Sequence, residues 1–346
     1  MEKVKMSPKK KALLIVGIVL GSLLLLVGLV LLGLRAYMRW PVSDYYKASE
    51  KAFVIPGLGD DFVPQGFCYD EEKDHFLLSG YSSSNAASPI YVVDRESGEL
   101  KKTVLLAEED GAPFTGHAGG VAIYNDYVYV AGGSDQCLFV FSYAELLAAE
   151  EGGSVRCKGE FSVKVSDTDY LDVSFVTVYE DRIILGEFYY EPAYPTLDSH
   201  KITTAAGDKN NALAVEFALL PDAEFGIDQT PLKAYSMREK VQGLCVTEDK
   251  IYLSTSWGLG FSYLYEYDRA KLASEGTINV LGAELPLISL DSASLSAEYK
   301  IPPMSEELVM LDGRMYVMCE SACNKYIFGK FTSGKWCYST DLSEMK

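Results

Sequence analysis

From Ala12 to Leu34 every residue is apolar, Gly or Ser, an unbroken stretch that carries no charge. As a helix it extends roughly 35 Å, enough to cross a hydrocarbon core of about 30 Å. The alternative is a cleaved secretory signal, whose apolar region is usually about 7–15 residues and ends at a small-residue site. Here the run is longer and is followed by Arg35, Tyr37, Arg39 and Trp40, which read as an interfacial boundary. Lys3, Lys5, Lys9, Lys10 and Lys11 crowd the N-terminal flank, and the positive-inside rule keeps that flank cytoplasmic. The expected organisation is a basic cytoplasmic tail (1–11), a signal-anchor in the lipid bilayer (12–34), a juxtamembrane linker (35–51) and an extracytoplasmic domain (52–346). So short a linker would hold that domain near the membrane surface.

Of the 31 basic and 49 acidic residues, 7 and 1 fall in the first forty, so the remainder carries 24 against 48, a formal −24. Such a field repels nucleic acid, which is excluded as a partner, and favours cations or basic partners. The 24 tyrosines suit strands better than a helical bundle. Seven cysteines without regular spacing do not make a disulfide framework. One bridge among Cys319, Cys323 and Cys337 stays an open alternative to free thiols.

A unit recurs five times in which a polar hairpin turn leads into an apolar run. The run reads Phe76-Leu77-Leu78-Ser79, Val128-Tyr129-Val130-Ala131, Ile183-Ile184-Leu185-Gly186, Ile251-Tyr252-Leu253-Ser254 and Met315-Tyr316-Val317-Met318. Turns such as Asn125-Asp126, Glu180-Asp181, Glu248-Asp249 and Asp312-Gly313 precede it. Extended candidates lie upstream at 52–55, 103–106, 161–165, 234–237 and 298–301, and downstream at 90–94, 138–141, 212–217, 263–267 and 326–331. The reading is an all-β chain, a β-propeller of five four-stranded blades, with 52–55 completing the last blade. Six blades would need strands hidden in 187–211, where Pro192, Pro195 and Gly207 oppose them. A two-sheet sandwich is the rival, but it would not require one strand order repeated five times.

Pro64-Gln65-Gly66-Phe67-Cys68-Tyr69-Asp70, Gly116-His117-Ala118-Gly119-Gly120-Val121-Ala122 and Val241-Gln242-Gly243-Leu244-Cys245-Val246 carry a resemblance. They resemble the inner strands of bacterial extracytoplasmic propellers, the NHL-repeat and gluconolactonase/strictosidine-synthase-like groups. The likeness spans about 52–342 and implies the fold. In the lactonase-like groups it further implies a divalent cation, Ca²⁺ here, at the channel mouth. Comparable positions in this chain hold Gln65, Asp172, Gln242 and Glu306, of which Asp172 and Glu306 are the metal candidates.

In a propeller, the loops before each inner strand and those between second and third strands open on one face. Gln65, His117, Asp172, Gln242 and Glu306 belong to the first set. Tyr81, Glu187, Tyr189, Tyr190, Trp257 and Glu320 belong to the second. Together they predict a polar, aromatic mouth for a small-molecule, glycan or protein ligand. The bland readings are that His117 bonds a neighbouring blade, that Gln65 and Gln242 bond backbone near the axis, and that Trp257 covers core. The long 187–211 insertion, with Tyr189, Tyr190, Tyr194 and His200, is a candidate lid. Asp167, Asp169 and Asp172 lack EF-hand spacing and read as a solvated turn.

No H-E-x-x-H, G-x-S-x-G, Walker A loop or paired CxxC occurs. No catalytic residue is assigned. Two classes of function remain: a ligand- or protein-binding module at the cell surface, and a cation-assisted lactonase, esterase or glycosidase using mouth carboxylates or His117.

Overall fold

The computed structural model describes residues 6–345, so Lys3 and Lys5 of the basic flank lie outside the described residues. The chain divides into two units at Ser43/Asp44.

In the first, an α-helix spans Pro8–Arg39. Ser7 caps it by accepting the Lys10 N–H, and Pro8 occupies the first turn, where its missing donor costs nothing. Its apolar side chains are exposed all round, from Leu13 at 79% to Leu32 at 64%. A helix apolar on every face has the composition of a membrane-spanning segment. Among the described residues it is the one helix long and apolar enough to cross a membrane.

The second unit is mostly β; its described strands form sheets of eight, six, four and four strands with two two-stranded ribbons, and the runs of four antiparallel strands within the larger sheets are called modules. Module one is Phe62–Asp70, His75–Ser82, Pro89–Asp94 and Leu100–Ala107; module two is Val121–Tyr124, Tyr127–Ala131, Cys137–Ser142 and Ser154–Ser162. Module three is Val173–Tyr179, Arg182–Glu187, Ala212–Leu219 and Ile227–Met237. Module four is Val241–Val246, Lys250–Thr255, Ser262–Asp268 and Leu295–Ile301. Module five takes Ser305–Leu311, Arg314–Cys319 and Trp336–Thr340, and its outermost strand is Ser49–Val54 from the start of the unit. That closure runs in register from Ser49 opposite Thr340 to Val54 opposite Trp336.

The first strands of the modules touch in cyclic order, the fifth returning to the first, so the arrangement is a propeller-like ring. The apolar core lies between neighbouring sheets. Phe161, Leu185 and Phe217 pack between modules two and three, and Phe53, Phe67 and Phe76 pack where module five meets module one. Inner strands such as His75–Ser82 and Arg182–Glu187 are buried on both faces because neighbouring sheets cover them, whereas the outer strand Ser154–Ser162 alternates buried and exposed.

Three sequence expectations need correction. The extended run expected at 326–331 is a turn and a short 3₁₀ segment at Phe328–Phe331, and the third strand of module five is Trp336–Thr340 instead. Gly329 donates to the Ser321 carbonyl and Ile327 sits at φ 51°, so the chain coils there rather than extending. The segment between the third and fourth strands of module four holds an unforeseen hairpin, Ala273–Val280 with Ala283–Ser289, which adds in parallel to the outer strand of module three. Its turn is held by Asp169, which accepts the N–H groups of Leu281 and Gly282 at 2.6 and 2.7 Å, so Asp169 is not simply solvated. All seven cysteines are free thiols.

Candidate functional site

The axis of the ring is organised by a residue that the sequence reading passed over. Glu307, in the first strand of module five, accepts the N–H of Phe67 at 2.7 Å, of Val121 at 3.1 Å and of Val176 at 3.1 Å. One buried carboxyl thus ties the inner strands of modules one, two and three. A Cβ on Gly120 would lie 2.0 Å from Glu307 Oε1, and one on Gly243 would lie 2.8 Å from its Cα. A Cβ on Gly66, the glycine of the first Gln-Gly pair, would lie 2.1 Å from Ser79 Oγ, so glycine at this repeat position is a matter of clearance. The signal was present: the same repeat position holds Gly66, Gly120, Ser174, Gly243 and then Glu307. Burial raises this carboxyl to about 8, against the pull of its three amide donors. Glu307 also lines a cavity of about 730 Å³ with Phe67, Val121, Val176 and Leu244.

At the mouth, the equivalent glutamines each reach a glutamate. Gln65 Nε2 donates to Glu320 Oε2 at 3.2 Å and to the Pro64 carbonyl at 2.6 Å. Gln242 Nε2 donates to Ser256 Oγ at 3.2 Å and to Glu306 Oε1 at 3.4 Å. The expected backbone role holds only for Gln65, and only within its own strand. Glu306 and Glu320 are both held above the ordinary carboxylate range. Burial, then repulsion from Glu320 and Glu307, drives Glu306 far above the usual carboxylate range. Burial raises Glu320 to about 8, against Lys325 and the Gln65 amide. Repulsion between such charges in one dry site favours the protonated form of Glu306.

Tyr81 and His117 complete this side. Their ring centroids are 4.6 Å apart, so His117, in the loop before module two, packs on a tyrosine of module one. Lys325 Nζ lies 2.6 Å from the Tyr81 hydroxyl. Water displaced by the surrounding protein, then Lys325, lowers His117 to about 4, so the imidazole is neutral across the physiological range.

Asp172, Glu187 and Tyr189 sit elsewhere, in module three. His200 Nδ1 is 2.9 and 3.0 Å from the two Glu187 oxygens, and both side chains are 1% exposed. Leu213 N–H donates to Glu187 as well, and Gln136 donates to Asp172 at 3.2 Å. Burial raises both carboxyls, and His200 opposes it. The 187–211 insertion is thereby pinned through His200. Tyr189 is 5% exposed and donates to Glu191 at 2.8 Å. Asp172 and Glu306 thus belong to different clusters. Among the described residues no group of three or more His, Cys, Asp or Glu is placed to hold a metal ion.

Trp257 heads a third grouping. Its ring stacks on Tyr190 at 4.0 Å, with Phe188 and Tyr194 each 5.9 Å away. It lines a cleft of about 610 Å³ formed by the connection between modules three and four and by the loop between the second and third strands of module four. Neither this cleft nor the axial cavity is lined by Glu306 or Glu320.

The sequence matches no protein-family model and no curated protein. Among solved structures the chain is similar to a glutaminyl cyclase from Myxococcus xanthus, with 11% identity over 83% of this chain and 93% of that chain and a TM-score of 0.42. It is similar to the PQQ-bound form of an aldose sugar dehydrogenase from Streptomyces coelicolor, with 13% identity over 84% and 95% and a TM-score of 0.42. BamB from Moraxella catarrhalis follows with 9% identity over 80% and 84% and a TM-score of 0.32. These likenesses assign no activity.

Proposed function

We propose that the chain is a membrane-anchored, extracytoplasmic, five-bladed β-propeller that binds a ligand in the Trp257 cleft of its loop face. The observation that carries this reading is the cleft itself, about 610 Å³ and walled by Trp257, Phe261, Tyr263 and Tyr265. Concave sites of this size, aromatic with a few polar groups, are the usual form of small-molecule sites. The lysines at 9, 10 and 11 before an apolar helix support a cytoplasmic N-terminus and an exported ring.

Two measurements test it. Protease added to intact cells should remove the C-terminal domain and spare the N-terminal tail; full protection would overturn the orientation. In the purified full-length protein, a panel of extracellular saccharides and small acids should yield at least one compound that raises the melting temperature, and Trp257→Ala should abolish that rise. No response to any compound would count against the cleft.

A second reading has one observation in its favour, two buried carboxyls, Glu306 and Glu320, both raised above the ordinary range, with Glu320 among the charges that raise Glu306. A hydrolase built on them predicts turnover of ester, lactone or glycoside panels that Glu320→Gln abolishes; the separation of Asp172 from Glu306 counts against the Ca²⁺-assisted form. Both carboxyls are nearly sealed, Glu306 at 2% exposure and Glu320 at 8%, which is why binding is preferred.

A further inference from the structure

The domain beyond the anchor carries a formal −24, yet the Trp257 cleft is lined by Lys209, Arg238 and Lys240 against one carboxylate, Glu239. That carboxylate is already engaged, since Lys240 Nζ lies 2.6 Å from its Oε1. Lys209 stands exposed on the rim. The cleft is a local positive site in a negative field, and low-dielectric walls concentrate such a potential.

Arg238 is the centre of it. The residue sits in the short connection between modules three and four, and its guanidinium lies over the Tyr265 ring with Cζ 3.4 Å from the centroid. Stacking fixes the plane of the fork, and it leaves Arg238 Nη1 buried with no hydrogen-bond partner. Asp208 feels the charge, but its carboxylate is taken up by the Ser292 N–H and hydroxyl at 2.8 and 2.5 Å. A buried guanidinium donor without an acceptor is unusual, because such groups are nearly always satisfied. A planar fork held on an aromatic face suits the two oxygens of a carboxylate or phosphate.

The rest of the lining describes what accompanies that anion. Trp257 is 39% exposed and braced from behind by Tyr190, a rigid aromatic platform. Asn211, Thr255 and Ser256 add an amide and hydroxyls beside it. Flat aromatic faces alternating with neutral hydrogen-bonding groups complement a sugar ring, apolar on its C–H face and polar at its edge.

We infer that the cleft binds an anionic saccharide, its carboxylate or phosphate held by Arg238 and Lys209 and its ring stacked against Trp257. This rests on the reading of the cleft as the ligand site and names the class of ligand.

The test is titration calorimetry on the full-length protein in detergent at low salt, with glucuronate, glucose 6-phosphate, glucose, inorganic phosphate and a short peptide ending in a free carboxylate. Both anionic sugars should bind at least about tenfold tighter than glucose, the scale of one charge-assisted hydrogen bond. Arg238→Met should remove that preference, and Trp257→Ala should weaken all three sugars together. Should Arg238→Met fail to fold, Lys209→Glu on the exposed rim must reduce the preference for the anionic sugars. Glucose binding as tightly as the anionic sugars overturns the inference and leaves the cleft reading standing. So does phosphate or the peptide binding as well as the anionic sugars do. No binding by any probe, with no response in the wider panel either, removes both.

Discussion

Glu307 shows how one side chain can order a ring. Three buried amide donors from three modules end on its carboxyl, and a buried donor left unpaired costs about 1–3 kcal/mol. Glu307→Ala should therefore lower the unfolding free energy by about 3 kcal/mol or more, whereas Glu307→Gln, which keeps an acceptor oxygen, should lose about half as much or less. Urea denaturation of the two variants checks the order; equal losses would mean the amide bonds are not what matters. Glu320 makes a prediction in pH. Its folded pKa of about 8 lies above the ordinary 4.5, so the folded state binds the proton more tightly and the stabilisation is full below pH 4.5. It is lost as pH rises through about 8. Glu307 acts in the same direction, while His117, lowered to about 4 from 6.5, destabilises the fold as pH falls through that window. Comparing Glu320→Gln with the parent isolates the one group. The variant should gain in melting temperature relative to the parent between pH 5 and 8, and parallel curves would sink the assignment.

At the scale of elements, the closing strand is the sensitive one. Ser49–Val54 is the outer strand of module five, and Ile55 N–H adds a further bond to the Lys335 carbonyl. Removing residues 49–54 would leave Trp336–Thr340 as an unpaired edge and uncover Phe53, 2% exposed between modules five and one. Loss of that side chain alone costs about 3–5 kcal/mol. The deletion should abolish a cooperative thermal transition of the C-terminal domain, read by near-ultraviolet circular dichroism, and a melting temperature within a few degrees of the parent would refute closure by this strand. The inserted hairpin after Asp268 is a different case. It extends module three from outside, held by the parallel pairing of Ala234–Ser236 with Leu287–Ser289 and by Asp169.

For the whole molecule, the chain combines a helix apolar on every face with a β domain of strongly negative charge. The helix is long and apolar enough to cross a membrane, whereas the remainder carries the strong negative charge. The ring provides two hollows of different character. One is axial and lined by inner strands with Glu307; the other is the aromatic, basic cleft beside Trp257. Propeller-like rings gather loops from successive modules at one face, so residues far apart in sequence, such as Gln65 and Glu320, meet across the seam where the ring closes.

Much of this was legible in the chain before it folded. The apolar helix, the hairpin landmarks and most strands follow from local hydrophobic pattern and turn chemistry, which act over a few residues, while the pairing of the N-terminal strand with the last module was expected from closure of the repeat into a ring. Trp257 and the glutamine positions were expected on one face because the repeat fixes where loops emerge. The turn that replaces a strand at 326–331 and the hairpin at 273–289 were not legible, because alternating apolar residues there suit more than one local conformation. Nor was the partition of the expected mouth into a Glu306–Glu320 pair, a Glu187–His200 pair and the Trp257 cleft. Which carboxyl is buried beside which cation, and that Arg238 keeps a donor without an acceptor, depend on distances between modules some tens of residues apart. The pattern of side chains along the chain determines the elements, and only their closure into a ring sets the electrostatics of its sites.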